Sequence, residues 1–519
     1  MTSGSNPVAK AFNLSLKTPA LGDNRSPEKR LRDALAQKLQ GERPLLPLDL
    51  ARRLPEILPK AGYNVQATVT AGPCGWRLAR CLPANESAPV LGMAVDLGST
   101  SVVFYLVDLE TGKTLASLSK ENPQRQHGED ILDRIIFAQR GGLTTLQSEV
   151  INLFNASAKE LCSAQGVSPT DIVFMSVAGN TTMCHFLLAL DPSHICKEPY
   201  IPAVNRFDPL RPDEIGLEIN PAATIYVLPN VGSYFGGDLI AGILASRMAE
   251  REEISMLVDV GTNAEVVLGN KDWMVACAGA AGPALEGGIL SCGMRAQPGA
   301  IERVRISPSD LSVEVKTIGD EPPKGLCGSG IIDLLAAMFE AGLVDQTGKL
   351  MTDRDPSRMR KIDHEWAYVV VPESETAHGK PIYISQSDIK NLIRSKGAMY
   401  TILNVVIQSV GITFDDIDNF FVAGAFGNYI DPAKAITIGM LPEIPLDKFK
   451  PLGNSAGMGA VRVLLEKDCM NKMDEICEKI TYLEMNVRGD FMNQLTGALF
   501  LPHTDLSRFP GVAKRLRLS

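Results

Sequence analysis

One turn occurs twice in this chain, and it constrains the fold more than any other feature. Asp96-Leu97-Gly98-Ser99-Thr100 follows the apolar run Leu91–Val95, and Asp259-Val260-Gly261-Thr262-Asn263 follows Met256–Val258. Each reads as a buried strand ending in a carboxylate, then a glycine turn rich in hydroxyl or amide groups. A lone turn of this kind is equally an ordinary strand-to-hairpin connection. Two of them, each followed by the same downstream pattern, predict a duplicated domain that grips one phosphate chain from both sides.

The residue types fit that chemistry. Asp96 and Asp259 offer hard carboxylate oxygens, which hold Mg²⁺ directly or through water. Gly98 and Gly261 let the backbone approach phosphate oxygens, while Ser99, Thr100, Thr262 and Asn263 supply donors. Gly236-Gly237-Asp238 opens a helix just upstream of the second turn. A carboxylate there can orient the water that attacks a terminal phosphate. It can equally cap the helix, and the two roles coexist. Gly424 and Gly427 suit close approach to an adenine and ribose, or plain helix–strand packing. The Gly279–Gly288 loop, with Gly282 and Glu286, and the run Gly328-Ser329-Gly330 are further candidates for the same pocket. His127 and His185 are read as structural.

A chain of 519 residues is long for one core, so two or more domains are expected. The net charge of −9 argues against a nucleic-acid surface and leaves room for a basic protein partner. No signal-peptide pattern and no apolar run of about 18 residues are present, which predicts a cytoplasmic protein without a membrane segment. The ten cysteines are scattered, with no C-x-x-C pair. They read as reduced, mostly buried thiols, with no iron–sulfur or zinc spacing.

Residues 1–9 are expected to be a disordered or tag-like tail. Residues 10–88 read as a small α+β domain. Ser26-Pro27-Glu28 starts its first helix, a second covers Leu48–Leu58, and Pro83–Pro89 is a linker. A first lobe spans 90–250, with strands at 91–95, 102–107, 114–119, 172–177 and 225–228. Its helices lie at about 129–140, 146–165 and 239–248. A second lobe with a C-terminal extension spans 251–519 and repeats this order. Its strands lie at 255–258, 264–268, 273–276 and 419–422. Ser385 and Asp388 form a capping box that opens a helix to about Val410. A last helix of that lobe opens at Asn454-Ser455-Ala456-Gly457. The fold class is therefore α/β: duplicated ribonuclease-H-like lobes preceded by a small α+β domain.

At these residues the chain resembles the acetate and sugar kinase, Hsp70 and actin superfamily, which implies that the lobes are of the actin-like ATPase kind. Asp96–Thr100 and Asp259–Thr262 match its two phosphate motifs. Ala423–Gly427, Phe426 included, matches its adenosine motif. Leu239–Met248 and Asn454–Leu465 match its connecting helices, and Asp238 falls where related enzymes carry a catalytic carboxylate. More narrowly, several blocks together resemble the reductive activators of corrinoid enzymes. They are Asn122-Pro123-Gln124, Gly128-Glu129-Asp130 with Arg134, Gly179–Met183, Ala280–Gly287, Gly293–Ala296, Leu326–Gly330 and Leu501-Pro502-His503.

That resemblance implies an ATPase, with ATP and Mg²⁺ as cofactors. It would couple ATP to the uphill reduction of cob(II)alamin to cob(I)alamin on a corrinoid protein of a methyltransferase system. Closure of the lobes on nucleotide would change the contacts with that partner. The family commonly dimerises, implying a homodimer. It also commonly carries an N-terminal plant-type [2Fe–2S] module. No C-x₄-C-x₂-C run occurs here. The expectation is therefore no iron–sulfur cluster in this chain, with a ferredoxin-type donor that is separate or missing from it. A small-molecule kinase and a nucleotide-dependent binding module are the alternatives on the same scaffold.

Overall fold

A computed structural model describes residues 6–72, 75–86, 88–260, 263–280, 290–483 and 491–518. The chain divides into two compact units. One is Met1–Ala245 with Ser455–Glu478, and the other is Ser246–Asn454 with Lys479–Ser519.

The first unit begins with an antiparallel sheet of β1 (Ala9–Ser15), β2 (Asn64–Gly72) and β3 (Gly75–Pro83). Helices Pro27–Lys38 and Leu48–Lys60 cover it. Ser26 caps the first by accepting the Lys29 N–H, and Pro27 presets its first turn. Leu31 and Leu35 repeat on one face and, with Leu54 and Leu58, bury against Val65, Ala67 and Val69. The expected tail ends earlier than residue 9. Val8 is fully buried, its N–H bonds the Leu464 carbonyl and its carbonyl takes the Ala71 N–H. An apolar residue with both backbone groups paired has no reason to stay in solvent. The linker is also pinned: the Arg80 guanidinium holds the Ala88 and Pro89 carbonyls and the Asp171 carboxylate.

The large sheet of this unit uses β4 (Leu91–Leu97), β5 (Ser101–Asp108), β6 (Lys113–Glu121), β7 (Ile172–Gly179) and β8 (Thr224–Val227). Their order is β6-β5-β4-β7-β8, with β4 antiparallel to β5 and parallel to β7. β4 and β7 are apolar nearly throughout because both faces are covered. The helix expected over 129–140 is shorter, Ile131–Phe137. Gly141 takes φ +96° and breaks the helical path before Leu143–Ala164.

The second unit has β9 (Ser255–Val260), β10 (Asn263–Gly269) and β11 (Met274–Ala280). Two small inserted sheets follow. One joins β12 (Ala300–Ile306), β13 (Val313–Thr317) and β14 (Gly325–Leu326). The other joins β15 (Met359–Ile362), β16 (Glu365–Val371) and β17 (Ile382–Ser385). β18 (Asn419–Ala423), β19 (Phe449–Gly453) and β20 (Ile480–Tyr482) complete the main sheet. Its order is β19-β18-β9-β10-β11-β20, with β9 antiparallel to β10 and parallel to β18. Apart from β20 at the edge, this repeats the first unit's topology. The ribonuclease-H-like duplication is thus present. The long helix Gln386–Ser409 opens at the Ser385/Asp388 capping box.

One element differs from the expectation. Helix Ser455–Leu465, read as the last of the second lobe, packs in the first unit. Its Ala460 carbonyl accepts the Ser176 hydroxyl at 2.8 Å, and Arg462 reaches the Leu244 carbonyl. A Cβ at Gly459 would lie 2.1 Å from the Ala241 carbonyl oxygen. Glycine lets this helix approach Gly237–Ser246 at backbone distance, and chain order does not report that contact.

Nine cysteines are described and are free, six of them buried. No helix among the described residues is long and apolar enough to cross a membrane.

Candidate functional site

In the first unit the candidate residues gather at the carboxyl edge of the parallel strands, where open α/β sheets take ligands. Asp96 lies one residue from the end of β4, opposite Ala178 of β7, and is half-buried. Gly98 has no room for a side chain: a Cβ would sit 2.4 Å from the Ser101 carbonyl oxygen. Ser99 is half-buried and Thr100 exposed. Asp238 is in the first turn of helix Gly237–Ser246, after β8, and its Oδ1 takes the Leu239 N–H at 2.9 Å. That helix starts against the end of β7, since a Cβ at Gly236 would meet Asn180 Cα at 2.4 Å. The structure therefore places the Asp96 turn and Asp238 on one sheet edge. Burial pushes the nearby Cys184 thiol up, and the Asp238 carboxylate adds to the shift.

In the second unit Asp259 lies on β9 beside Ala423 of β18. Burial pushes its carboxyl up to about 6. Gly424 has φ +77°, and a Cβ there would lie 2.9 Å from Asp259 Oδ1. This glycine is thus required twice over, by backbone conformation and by the approach of the carboxylate. A Cβ at Gly427 would fall 2.3 Å from the Val422 carbonyl oxygen, so Gly427 packs the helix Gly424–Tyr429 onto its strand. Phe426 lies within that helix and Asn263 begins β10. Gly261, Thr262, Gly282 and Glu286 lie outside the described residues. Gly328 and Ser329 start helix Gly328–Glu340, with the buried Ser329 hydroxyl 3.5 Å from Cys327 Sγ. A Cβ at Gly330 would lie 2.1 Å from the Ile301 carbonyl oxygen, which ties this helix start to β12. A cavity of about 660 Å³ opens beside the same helix, among Arg303, Lys316, Asp333, Glu340, Asp431 and Lys434. None of the candidate residues lines it.

Both histidines are structural. His127 bonds Glu149 at 2.8 Å and stacks on Phe137. His185 is buried with Nδ1 on the Thr181 carbonyl, and burial lowers its basicity. Two residues that the sequence flagged only as parts of motifs hold the first turn. Asn122 Nδ2 donates to the Gly98 carbonyl at 2.8 Å, and Arg134 Nη1 to the Ser99 carbonyl at 2.7 Å. The available signal was an arginine set among Ile131, Leu132, Ile135 and Ile136, where burial of a charge demands a reason.

Comparison with known proteins agrees with this architecture. Residues 253–513 match the family model described as the C-terminal domain of RACo, the ASKHA domain. Residues 91–251 match the RACo middle region, and residues 4–86 the RACo linker region. The chain belongs to the RACo family. It is 33% identical over 428 residues to the corrinoid activation enzyme RamQ of Eubacterium limosum, covering 80% of this chain and 72% of that protein. It is 26% identical over 434 residues to the Co(II) methylated amine-specific corrinoid protein reductase of Methanosarcina barkeri, covering 78% and 75%. A solved structure titled reductive activator for corrinoid, iron-sulfur protein superposes with a TM-score of 0.90 at 38% identity. That match covers 98% of this RACo-family chain and 82% of the other.

Proposed function

We propose that this chain is an ATP-dependent activator of a corrinoid protein. It couples ATP binding and hydrolysis to the reduction of cob(II)alamin to cob(I)alamin on that partner. The observation that carries this reading is the superposition over 98% of the chain on a reductive activator for a corrinoid protein. The twin strand-end aspartates support the nucleotide part of it.

In this reading the turns at Gly98–Thr100 and Gly261–Asn263 bind phosphate oxygens. Asp238 orients the water that attacks the terminal phosphorus, releasing ADP and phosphate. Gly424, Phe426 and Gly427 accept the adenosine, with Gly282, Glu286, Gly328 and Ser329 around it. Asp96 and Asp259 have the hard oxygens that Mg²⁺ takes, and the bound ion would offset phosphate charge. One electron passes from a ferredoxin-type donor outside these 519 residues to cobalt(II), leaving cobalt(I) and oxidised donor. The small domain runs from β1 to β3, the first ATPase lobe is 90–245 completed by 455–478, and the second is 246–454 with 479–519. The protein acts in the cytoplasm as a homodimer.

The test is ATP hydrolysis with and without a cob(II)alamin-bearing partner, followed together with the cobalt absorption spectrum. Stimulated hydrolysis, and conversion to the cob(I)alamin spectrum with ATP and a reductant, are expected. No stimulation and no spectral change would overturn the reading. Phosphoryl transfer to a polyol or carboxylate faster than hydrolysis would replace it with a kinase. Tight ATP binding without hydrolysis, indifferent to Asp238→Ala, would replace it with a binding module.

A further inference from the structure

Arg134 is wholly buried, one of the largest side chains in the protein to be so. It projects from helix Ile131–Phe137. Its Nε donates to the Gly128 carbonyl at 3.0 Å and its Nη1 to the Ser99 carbonyl at 2.7 Å. Nη1 also lies 3.8 Å from the Met183 sulfur. Nη2 is buried and has no hydrogen-bond partner among the described residues. Among the described residues no carboxylate pairs with it; Glu129 and Asp130 act only at longer range. A buried guanidinium bonded to two neutral carbonyls, with one nitrogen idle, is a costly way to fill space. An apolar side chain would pack there without that cost.

What the residue touches gives the reason. The Gly98–Thr100 turn has three consecutive carbonyls, and a donor from the 122–134 segment takes each one. Asn122 Nδ2 holds Gly98, Arg134 Nη1 holds Ser99, and the Asn122 N–H holds Thr100 at 2.9 Å. Asn122 is itself fully buried. With every carbonyl drawn back, the turn keeps no unbonded backbone carbonyl to face a phosphate oxygen. Each bonded carbonyl also polarises its peptide unit, strengthening the Ser99 and Thr100 N–H groups as donors. Gly128 lets the segment close this tightly, since a Cβ there would lie 2.4 Å from Asp133 Cβ.

We propose that Arg134 and Asn122 are positioning residues for nucleotide phosphate. Together they turn Gly98–Thr100 into an anion-facing cradle, and the unpaired Arg134 charge supplies its positive field. Neither touches the nucleotide; both act through the turn. This rests on the ATP reading above and adds to it the residues that make one phosphate turn selective for anions.

The experiment measures binding of ATP, ADP and adenosine to the full chain, with apo thermal unfolding alongside, for wild type, R134M, R134K and N122A. R134M should weaken ATP and ADP on the order of 30-fold and leave adenosine unchanged, because only phosphate feels the lost charge. R134K should recover part of that loss. N122A, which keeps the charge, should cost on the order of 10-fold for ATP and nothing for adenosine. Wild-type ATP affinity in R134M, or equal losses for ATP and adenosine, would overturn the proposal. If R134M does not fold, R134K and N122A decide by the same phosphate-against-adenosine ratio. Wild-type protein that binds no nucleotide would sink the ATP reading, and this proposal with it. Normal wild-type binding with indifferent variants sinks this proposal alone.

Discussion

The two units lay out their main sheets in the same order, yet they support the carboxylate strand differently. In the first, the turn after Asp96 is tied from behind by Asn122 and Arg134, so a polar segment does the holding. In the second, Asp259 lies against Gly424, and burial lifts its carboxyl towards neutrality. The second unit also carries two inserted sheets and a latch at its C-terminal segment. There the buried Lys396 Nζ donates to the Phe500 and Pro502 carbonyls, and burial holds it well below the usual lysine range. A shared topology thus fixes where each aspartate stands. What surrounds it is set separately in each unit.

The largest expected effect tests whether the two aspartates are equivalent. Asp96→Ala and Asp259→Ala should each lower ATP turnover on the order of 100-fold or more, measured at saturating ATP. Comparable losses would sharpen the pairing, and near-normal turnover in either variant would break it.

The next effect is an acid limb in the second unit. His503 is held at about 4 by burial first, then by the Arg508 and Lys396 charges. Its ordinary value is about 6.5, so the unfolded chain takes the proton first. The stability it contributes is present above about pH 6.5 and is lost as pH falls through about 4, a change of about 3 kcal/mol. Urea unfolding followed by tryptophan fluorescence at several pH values would show it, and His503→Gln should flatten the limb. An unchanged slope in that variant would assign the acid sensitivity elsewhere.

Backbone crowding gives a smaller, matched pair. Gly98→Ala places a methyl against the Ser101 carbonyl, and Gly424→Ala adds left-handed strain beside Asp259. Each should cost about 2 kcal/mol in thermal unfolding without nucleotide. A neutral result at one site would show that its turn yields more easily than its counterpart. The smallest effect is Ser385→Ala, which removes the cap of helix Gln386–Ser409 and should cost about 1 kcal/mol. Two-step unfolding with only one of the two steps shifted would confirm that the helix stabilises its own unit.

Much of the architecture was legible in the residues. The apolar runs before Asp96 and Asp259 announced central strands, Ser26-Pro27 a helix start, and Ser385 with Asp388 a capping box. Each signal works within a few positions, because strand burial and caps are local. The first unit's turn was legible as a phosphate candidate for the same reason. Its support was not, since Arg134 and Ser99 stand 35 positions apart.

The sequence by itself therefore determined the twin carboxylate turns, the repeated strand order around them and the family to which they belong. Only the tertiary structure decided that Val8 enters the core and that helix Ser455–Leu465 joins the first unit. It also decided that a buried arginine stands behind the Gly98–Thr100 turn. These outcomes depend on close approach and on hydrogen bonds between distant segments. Such contacts exist only once the chain has folded, and the pattern of neighbouring residues does not encode them.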